Sequence, residues 1–319
     1  MNSWDNLAGF AQAVLPDRPL HLAIGIFDGV HLGHRAVIDA AIQAARRSGG
    51  VAAVLTFSPH PSFLFRPDNP TPLIMELETK IGLLRALGVE TVLVEPFTAD
   101  YAKIEAEEFL PHLLRHLPTL AAVYVGENWR FGRGRRGDVA MLTAEGRKLG
   151  VGVISAPRVS FDGEPISSTR IRGLLVAGEI ERANELLGRT YVARGLVVPG
   201  KRLGRTIEFP TLNLAWSPSL RPRFGVYRVR VTGAGAAGAG AAGAFQGVAN
   251  YGLRPTVETV SEPRLETHLL GACPFNEGSE ITVEWLKFLR PEMKFSGLDA
   301  LRAQIGLDVA AARAEFSLP

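Results

Sequence analysis

His21-Leu22-Ala23-Ile24-Gly25-Ile26-Phe27-Asp28-Gly29-Val30-His31-Leu32-Gly33-His34 runs from an apolar stretch through a glycine-punctuated turn into a helical pattern. The β-rich run His21 to Phe27 reads as a buried strand, and 34–48 reads as the helix after it. Similar runs follow at Val51 to Phe57, Thr91 to Glu95, Ala121 to Gly126 and Val151 to Ser155, with helical stretches at about 76–87, 105–116 and 138–149. Arg46-Arg47-Ser48-Gly49, Arg85-Ala86-Leu87-Gly88 and Arg147-Lys148-Leu149-Gly150 end three of these helices alike. Cations face the negative helix end, and a glycine then supplies the left-handed residue that stops it. Such alternation predicts a parallel sheet covered on both faces, an α/β domain.

Beyond Gly188 the rhythm changes. Val192 to Val198, Ile207 to Leu214, Val226 to Thr232, Phe245 to Asn250, Arg264 to Leu270 and Glu280 to Phe288 read as strands between Gly/Pro turns, with one late helix from Leu298 to Phe316. This pattern predicts a small antiparallel barrel. The Gly/Ala stretch 233–244 reads as a flexible hairpin loop. The expected domains are therefore 1–187 and 188–319, consistent with 319 residues at roughly 150 per domain.

Lys and Arg total 35 against 32 Asp and Glu, too small a surplus to imply nucleic-acid binding. The single cysteine, Cys273, excludes an internal disulfide framework and a cysteine-cluster metal site, and fits a reducing cytoplasm. Met1 to Asp5 starts no basic-then-apolar leader, and no apolar run reaches the ~18 residues of a membrane span. The expectation is a cytoplasmic protein acting on small molecules, with oligomeric state left open.

The first strand–helix turn lies where open parallel sheets bind ligands. His31 and His34, three apart around Gly33, can face one side, and Gly25, Gly29 and Gly33 let a ligand approach the backbone. Two imidazoles at a helix start suit a triphosphate attacked at its α-phosphate, since they can donate to developing charge. The pair also reads as surface histidines, or as half a metal site lacking a third ligand. Pro165-Ile166-Ser167-Ser168-Thr169-Arg170-Ile171-Arg172 puts hydroxyls and arginines at a helix start, either a cradle for phosphates or adenine-ribose, or a plain cap with solvated arginines.

Gly132-Arg133-Gly134-Arg135-Arg136-Gly137 matches a dinucleotide fingerprint but begins six residues after the strand end at Gly126, and no acidic residue closes the next strand. Its arginines read as a mobile basic loop guiding an anion, or as a solvated charge run. Gly200 to Asn213 joins a basic glycine-rich loop to a strand. Thr211 and Asn213, two apart, share a face from which they can bind Mg²⁺, or they are simply strand residues.

The His31–His34 and Ile166–Arg172 segments resemble the HxGH and ISSTxxR signatures of the nucleotidyltransferase superfamily. With Leu55-Thr-Phe-Ser-Pro-His-Pro61, Gly126-Glu-Asn-Trp-Arg-Phe-Gly132 and Gly137-Asp138, they resemble the FMN adenylyltransferase module of bacterial bifunctional riboflavin kinase/FAD synthetases. The resemblance implies catalytic roles for His31, His34 and Asn128. It implies ATP contacts from Gly25, Phe27, Asp28, Gly29, Ser167, Ser168, Thr169 and Arg172. It also implies flavin contacts from Pro59, His60, Pro61 and Phe63, with Phe65 on the same loop. Trp129 stands where the family usually has Phe.

The second half resembles the riboflavin kinase signature ending in PTAN, here Pro210-Thr211-Leu212-Asn213, followed in order by Gly225-Val-Tyr227, Asn250 to Thr256, Leu265 to Leu269, Lys294-Phe-Ser, Gln304-Ile and Asp308. This implies that Gly200, Gly204, Thr211 and Asn213 hold ATP, that Thr211 and Asn213 hold Mg²⁺, and that Glu266 is the general base. Two positions depart from the family: Glu208 replaces glycine and Leu212 replaces alanine. Glu208 either faces the phosphates and repels them, or, if Thr206 to Phe209 is strand, points outward toward Lys201, Arg202 or Arg205. The expected activity is riboflavin to FMN to FAD, with ATP and Mg²⁺. The rivals are a nucleotidyltransferase for another acceptor and a flavin-binding or regulatory protein with a degenerate kinase site.

Overall fold

A computed structural model describes residues 9, 15–200, 208–233, 242–253 and 263–316. The chain divides into two compact units, Met1–Ser168 and Thr169–Pro319. The first contains β1 (Leu20–Ile24), α1 (Leu32–Ser48), β2 (Val51–Phe57), α2 (Ser62–Phe65), α3 (Leu77–Ala86), β3 (Thr91–Glu95), α4 (Ala106–His116), β4 (Leu120–Gly126), α5 (Val139–Leu149) and β5 (Gly152–Ala156), then a short hairpin, β6 (Ser160–Phe161) and β7 (Glu164–Pro165). β1 to β5 form one parallel sheet in the order β3-β2-β1-β4-β5.

Every residue of β1 and β2 is buried, which is why both read as unbroken apolar runs rather than alternations. Two cores fill the two faces. Ala23 and Val54 pack with Ile38 and Ile42 of α1 and Ile81 and Leu84 of α3. Leu22, Ile24 and Leu55 pack with Phe109 and Leu113 of α4 and Leu142 of α5. Each such aliphatic side chain contributes about 1.5–3 kcal/mol when fully buried. Gly49 and Gly150 close α1 and α5 in the left-handed conformation, at φ +65° and +74°, as their sequences require.

The second unit carries α6 (Ser168–Ala177, begun at the boundary), α7 (Ile180–Leu187), β8 (Tyr191–Val198), β9 (Leu212–Leu214), β10 (Gly225–Gly233), β11 (Ala242–Leu253), β12 (Pro263–Leu269), β13 (Glu280–Arg290) and α8 (Leu298–Phe316). The six strands close an antiparallel barrel in the order β10-β11-β12-β9-β8-β13. Trp285, Tyr227 and Tyr251 fill it, all fully buried. Gly233 pairs with Ala242 across the β10–β11 hairpin, so the Gly/Ala stretch joins paired strands; residues 234–241 lie outside the described ones.

The unit boundary differs from the expected 187/188. Helix α7 buries Ile180, Ala183, Leu186 and Leu187. Its Asn184 Nδ2 donates to the Trp285 carbonyl at 2.8 Å, and Tyr191 N donates to Asn184 Oδ1 at 2.7 Å. Those bonds and the apolar face tie the helix to β13 and β8.

The second barrel strand is shorter than its sequence pattern, which ran from Ile207. Glu208 has φ +65°, a left-handed conformation that ends any strand there, and β9 starts at Leu212. Glycine adopts this conformation freely, whereas a residue with a side chain carries a cost of about 1–2 kcal/mol. The outward pose holds even so: the carboxylate is 72% exposed and accepts a hydrogen bond from Arg302 Nη2 of α8. The partners considered from sequence, Lys201, Arg202 and Arg205, lie outside the described residues. An exposed pair of this kind is worth about 0.2–1 kcal/mol, less than the backbone cost. Glu208→Gly is therefore expected to raise the unfolding midpoint by a few degrees while the kinase KM for ATP stays unchanged. Thermal unfolding and initial rates on the same preparation check both.

Candidate functional site

Strand order reverses between β1 and β4, and a cavity of about 330 Å³ opens at their carboxyl ends. That volume lies within the roughly 300–1,000 Å³ of small-ligand pockets, at the place where open α/β sheets bind them. Gly25 and Phe27 line it after β1, His31 and His34 at the start of α1, and Asn128 after β4.

The turn that carries the histidines is strained. Phe27, Gly29 and Val30 have φ of 52°, 88° and 38°. His31 caps α1: its Nδ1 accepts the His34 amide N–H at 3.2 Å. A nitrogen that accepts an amide proton carries its lone pair there, so the neutral ring keeps its own proton on Nε2. The two imidazoles stack with centroids 3.5 Å apart and planes at 18°, and Phe27 meets His34 edge-on at 5.3 Å. The glycines serve this packing. A Cβ on Gly33 would lie 3.2 Å from the His31 ring, and one on Gly25 would lie 2.9 Å from the Phe27 ring. Among the described residues no group of three His, Cys, Asp or Glu side chains is arranged to hold a metal, so the half-metal-site reading of the pair has no third ligand.

Asp28 and Gly29 do not line the cavity. Asp28 is buried, both its carboxylate oxygens accept the Ile74 N–H at 3.0 and 3.1 Å, and its carbonyl accepts from Ser168 Oγ at 2.8 Å. It braces the turn from behind. Ser167 and Ser168 also stand outside the lining, although Ile166 is part of it. Thr169 and Arg172 fall on the first turns of α6 in the second unit.

The brace includes a lysine that no motif marks. Lys80 of α3 is buried, and its Nζ donates to the Ile26 carbonyl at 3.1 Å and to Thr56 Oγ1 at 2.9 Å. Burial pulls its pKa down to about 8, with the Asp28 charge opposing. Between about 8 and the ordinary lysine value of 10.5 the unfolded chain then holds the extra proton, so stability rises with pH across that window and carries the full cost of the buried charge below it. Urea unfolding at a series of pH values should show this gain in the wild type relative to Lys80→Met, which cannot have it.

Pro59, His60, Pro61 and Phe63 form the β2–α2 corner, outside the cavity lining. His60 Nδ1 accepts the Ser62 N–H at 3.0 Å and lies 2.8 Å from Ser62 Oγ, which accepts the Thr71 N–H at 2.8 Å. Phe63 and Phe65 are exposed, 42% and 65%, and Phe65 meets Phe97 at 5.9 Å. The corner is a fixed scaffold that presents aromatic rings to solvent.

The arginine loop is pinned. Arg133 N donates to the Ile104 carbonyl at 2.7 Å. Arg130 pairs with Asp138, Arg133 with Glu105, and Arg136 with Glu105 and Glu107. A Cβ on Gly132 would sit 2.6 Å from the Ala106 backbone, so its glycine serves packing on α4. Its arginine side chains are about half or more exposed and sit in surface ion pairs.

In the barrel, Asn213 of β9, Glu266 of β12 and Asn250 of β11 lie directly opposite one another in register, hence on one face. Thr211 stands just before β9. Asn213 is buried, and its Oδ1 has no hydrogen-bond partner among the described residues. Its side chain presses on Gly200, where a Cβ would fall 2.2 Å from Nδ2. Gly204 lies outside the described residues. Leu212 opposes buried Thr267 on the other face, so its substitution for alanine points away from Asn213.

A doubly wound module with a histidine pair at its switch point, followed by a closed six-stranded barrel, is the build of a two-module nucleotide-transfer enzyme. The FAD synthetase family model matches residues 15–170 and the riboflavin kinase model residues 187–316. The chain is 37% identical over 304 residues, 95% of each chain, to the bifunctional riboflavin kinase/FMN adenylyltransferase of Escherichia coli (strain K12). It is 35% identical to that of Bacillus subtilis (strain 168), over 93% of this chain and 92% of the relative. A crystal structure from Streptococcus pneumoniae, described as a macrolide-efflux protein, matches with a TM-score of 0.84 at 27% identity, covering 96% of this chain and 97% of that one. The chain belongs to the bifunctional riboflavin kinase/FMN adenylyltransferase family. Among the described residues no helix is long and apolar enough to cross a membrane.

Proposed function

We propose that the barrel phosphorylates riboflavin with ATP to give FMN, and that the α/β module adenylylates FMN to FAD with release of pyrophosphate. The catalytic modules follow the expected division, 1–187 and 188–319, acting in the cytoplasm on small molecules and ATP. In the first step Glu266 accepts the proton of the riboflavin 5′-hydroxyl. The new O–P bond forms to the γ-phosphorus as the bond to the β-phosphate oxygen breaks, and ADP leaves. In the second, a phosphate oxygen of FMN attacks the α-phosphorus of ATP and the bond to pyrophosphate breaks. His31 and His34 donate hydrogen bonds to the charge gathering on the phosphate oxygens, and Asn128 holds the nucleotide.

The adenylyl half is carried by the stacked His31–His34 pair lining a nucleotide-sized cavity at the switch point. Support for the kinase half comes from Asn213, in register with Glu266 and with a buried oxygen that has no partner among the described residues. That oxygen suits a hard cation, so Thr211 and Asn213 would hold Mg²⁺, which supplies charge neutralisation for the triphosphate when bound. Gly25, Phe27, Gly29, Ser167 and Ser168 surround ATP in the first module, with Asp28 acting through the turn. The 59–63 corner with Phe63 borders the flavin. The test is purified protein with riboflavin, ATP and Mg²⁺, flavins separated over time. FMN is expected first and FAD after it; riboflavin left unchanged while supplied FMN becomes FAD would refute the kinase half.

A further inference from the structure

The cavity beside the histidines must take a polyanionic nucleotide. Among its lining residues the one side chain with a permanent positive charge is Arg158, and the one carboxylate is Glu127. They are brought together by the sheet. Gly126 at the end of β4 pairs with Ala156 at the end of β5, and Glu127 N donates to the Ala156 carbonyl at 3.1 Å. Arg158, two residues past β5, then reaches back, and its Nε forms an ion pair with Glu127 Oε1 at 2.9 Å. The same oxygen accepts from Asn128 Nδ2 at 3.5 Å. The two charges cancel, so the cavity offers a triphosphate no net fixed charge until this pair opens.

We infer that Arg158 is a phosphate-binding side chain of the adenylylation step, and that Glu127 holds it in place until a nucleotide phosphate takes over the guanidinium. The inference rests on the adenylyltransferase reading and goes beyond the roles which the resemblance implies, none of which falls on Arg158 or Glu127. The exchange is chemically easy. Both side chains are about half exposed, at 50% and 44%, and exposed ion pairs are weak and screened. A guanidinium gains from the trade, because phosphate oxygens accept its parallel N–H groups in a bidentate fork. Released Glu127 keeps its contact with Asn128 Nδ2, so nucleotide binding and the orientation of Asn128 are linked through one carboxylate.

The test uses the full chain, with FMN supplied and ATP varied, and reads KM and kcat of FAD formation. Riboflavin phosphorylation by the same preparations reports whether the variants are folded. Arg158→Ala is expected to raise the KM for ATP about tenfold or more with a much smaller change in kcat, and Arg158→Lys to fall between it and the wild type. Glu127→Gln is expected to lower the KM, since the competing charge is gone. An Arg158→Ala chain that keeps the wild-type KM while the wild type makes FAD overturns this inference alone. A Glu127→Gln chain whose KM rises like that of Arg158→Ala overturns the exchange. Wild-type protein that makes no FAD from FMN overturns the functional reading, and this inference with it.

Discussion

Replacing both His31 and His34 by alanine is expected to stop FAD formation and leave FMN formation largely intact. Loss of a single preorganised donor to developing charge typically costs about 10²–10³ in rate, and losing two should cost more. The geometry sharpens the expectation. The rings stack at 3.5 Å and His31 also caps α1, so either single substitution disturbs the other ring's position. The single mutants should therefore each lose most of what the double mutant loses, a non-additivity expected of residues acting as a unit. Removing the cap costs about 1 kcal/mol in stability, too little to unfold the module. Unchanged FAD synthesis in the folded double mutant would remove these histidines from the mechanism.

The second large effect is in the barrel. Asn213→Ala should lower riboflavin phosphorylation by more than about 100-fold, since residues that merely support a metal ligand already cost 10–100-fold when changed. Adenylylation of supplied FMN should continue. Gly200→Ala offers an independent route to the same loss: its Cβ would fall 2.2 Å from Asn213 Nδ2 and push the amide aside without removing it. Kinase activity that survives both substitutions would exclude Asn213 from the site. Loss of both activities with the fold intact would mean that the two modules do not work independently.

The layout was legible in the sequence because the sheet buries both its faces. β1 and β2 admit only apolar or small side chains at almost every position, and that constraint is written continuously along the chain. The barrel announced itself through Gly/Pro punctuation, β9 included, but the start of β9 did not. Thr206 to Phe209 has strand composition, yet Glu208 has a left-handed backbone and β9 starts only at Leu212. The histidine pair could be found because short-range spacing builds it. Lys80 and Arg158 could not, because their partners lie at Ile26, Thr56 and Glu127, and only the folded sheet brings them together. Asp28 adds a second case. The resemblance implied a nucleotide contact there, and the fold shows that its carboxylate also accepts from Ile74 N and braces the turn. A carboxylate in a turn can serve a ligand or the backbone, and sequence distance to its acceptor decides which only after folding.

The central claim is that one chain performs two chemically distinct transfers from ATP, at two sites. Phosphorus labelling tests it most directly. With riboflavin as the starting flavin, label in the γ-phosphate of ATP is expected in FMN and then, retained, in FAD. Label in the α-phosphate is expected only in FAD, with unlabelled pyrophosphate released. A γ-label that never enters the flavin, or α-label found in FMN or missing from FAD, would contradict the account.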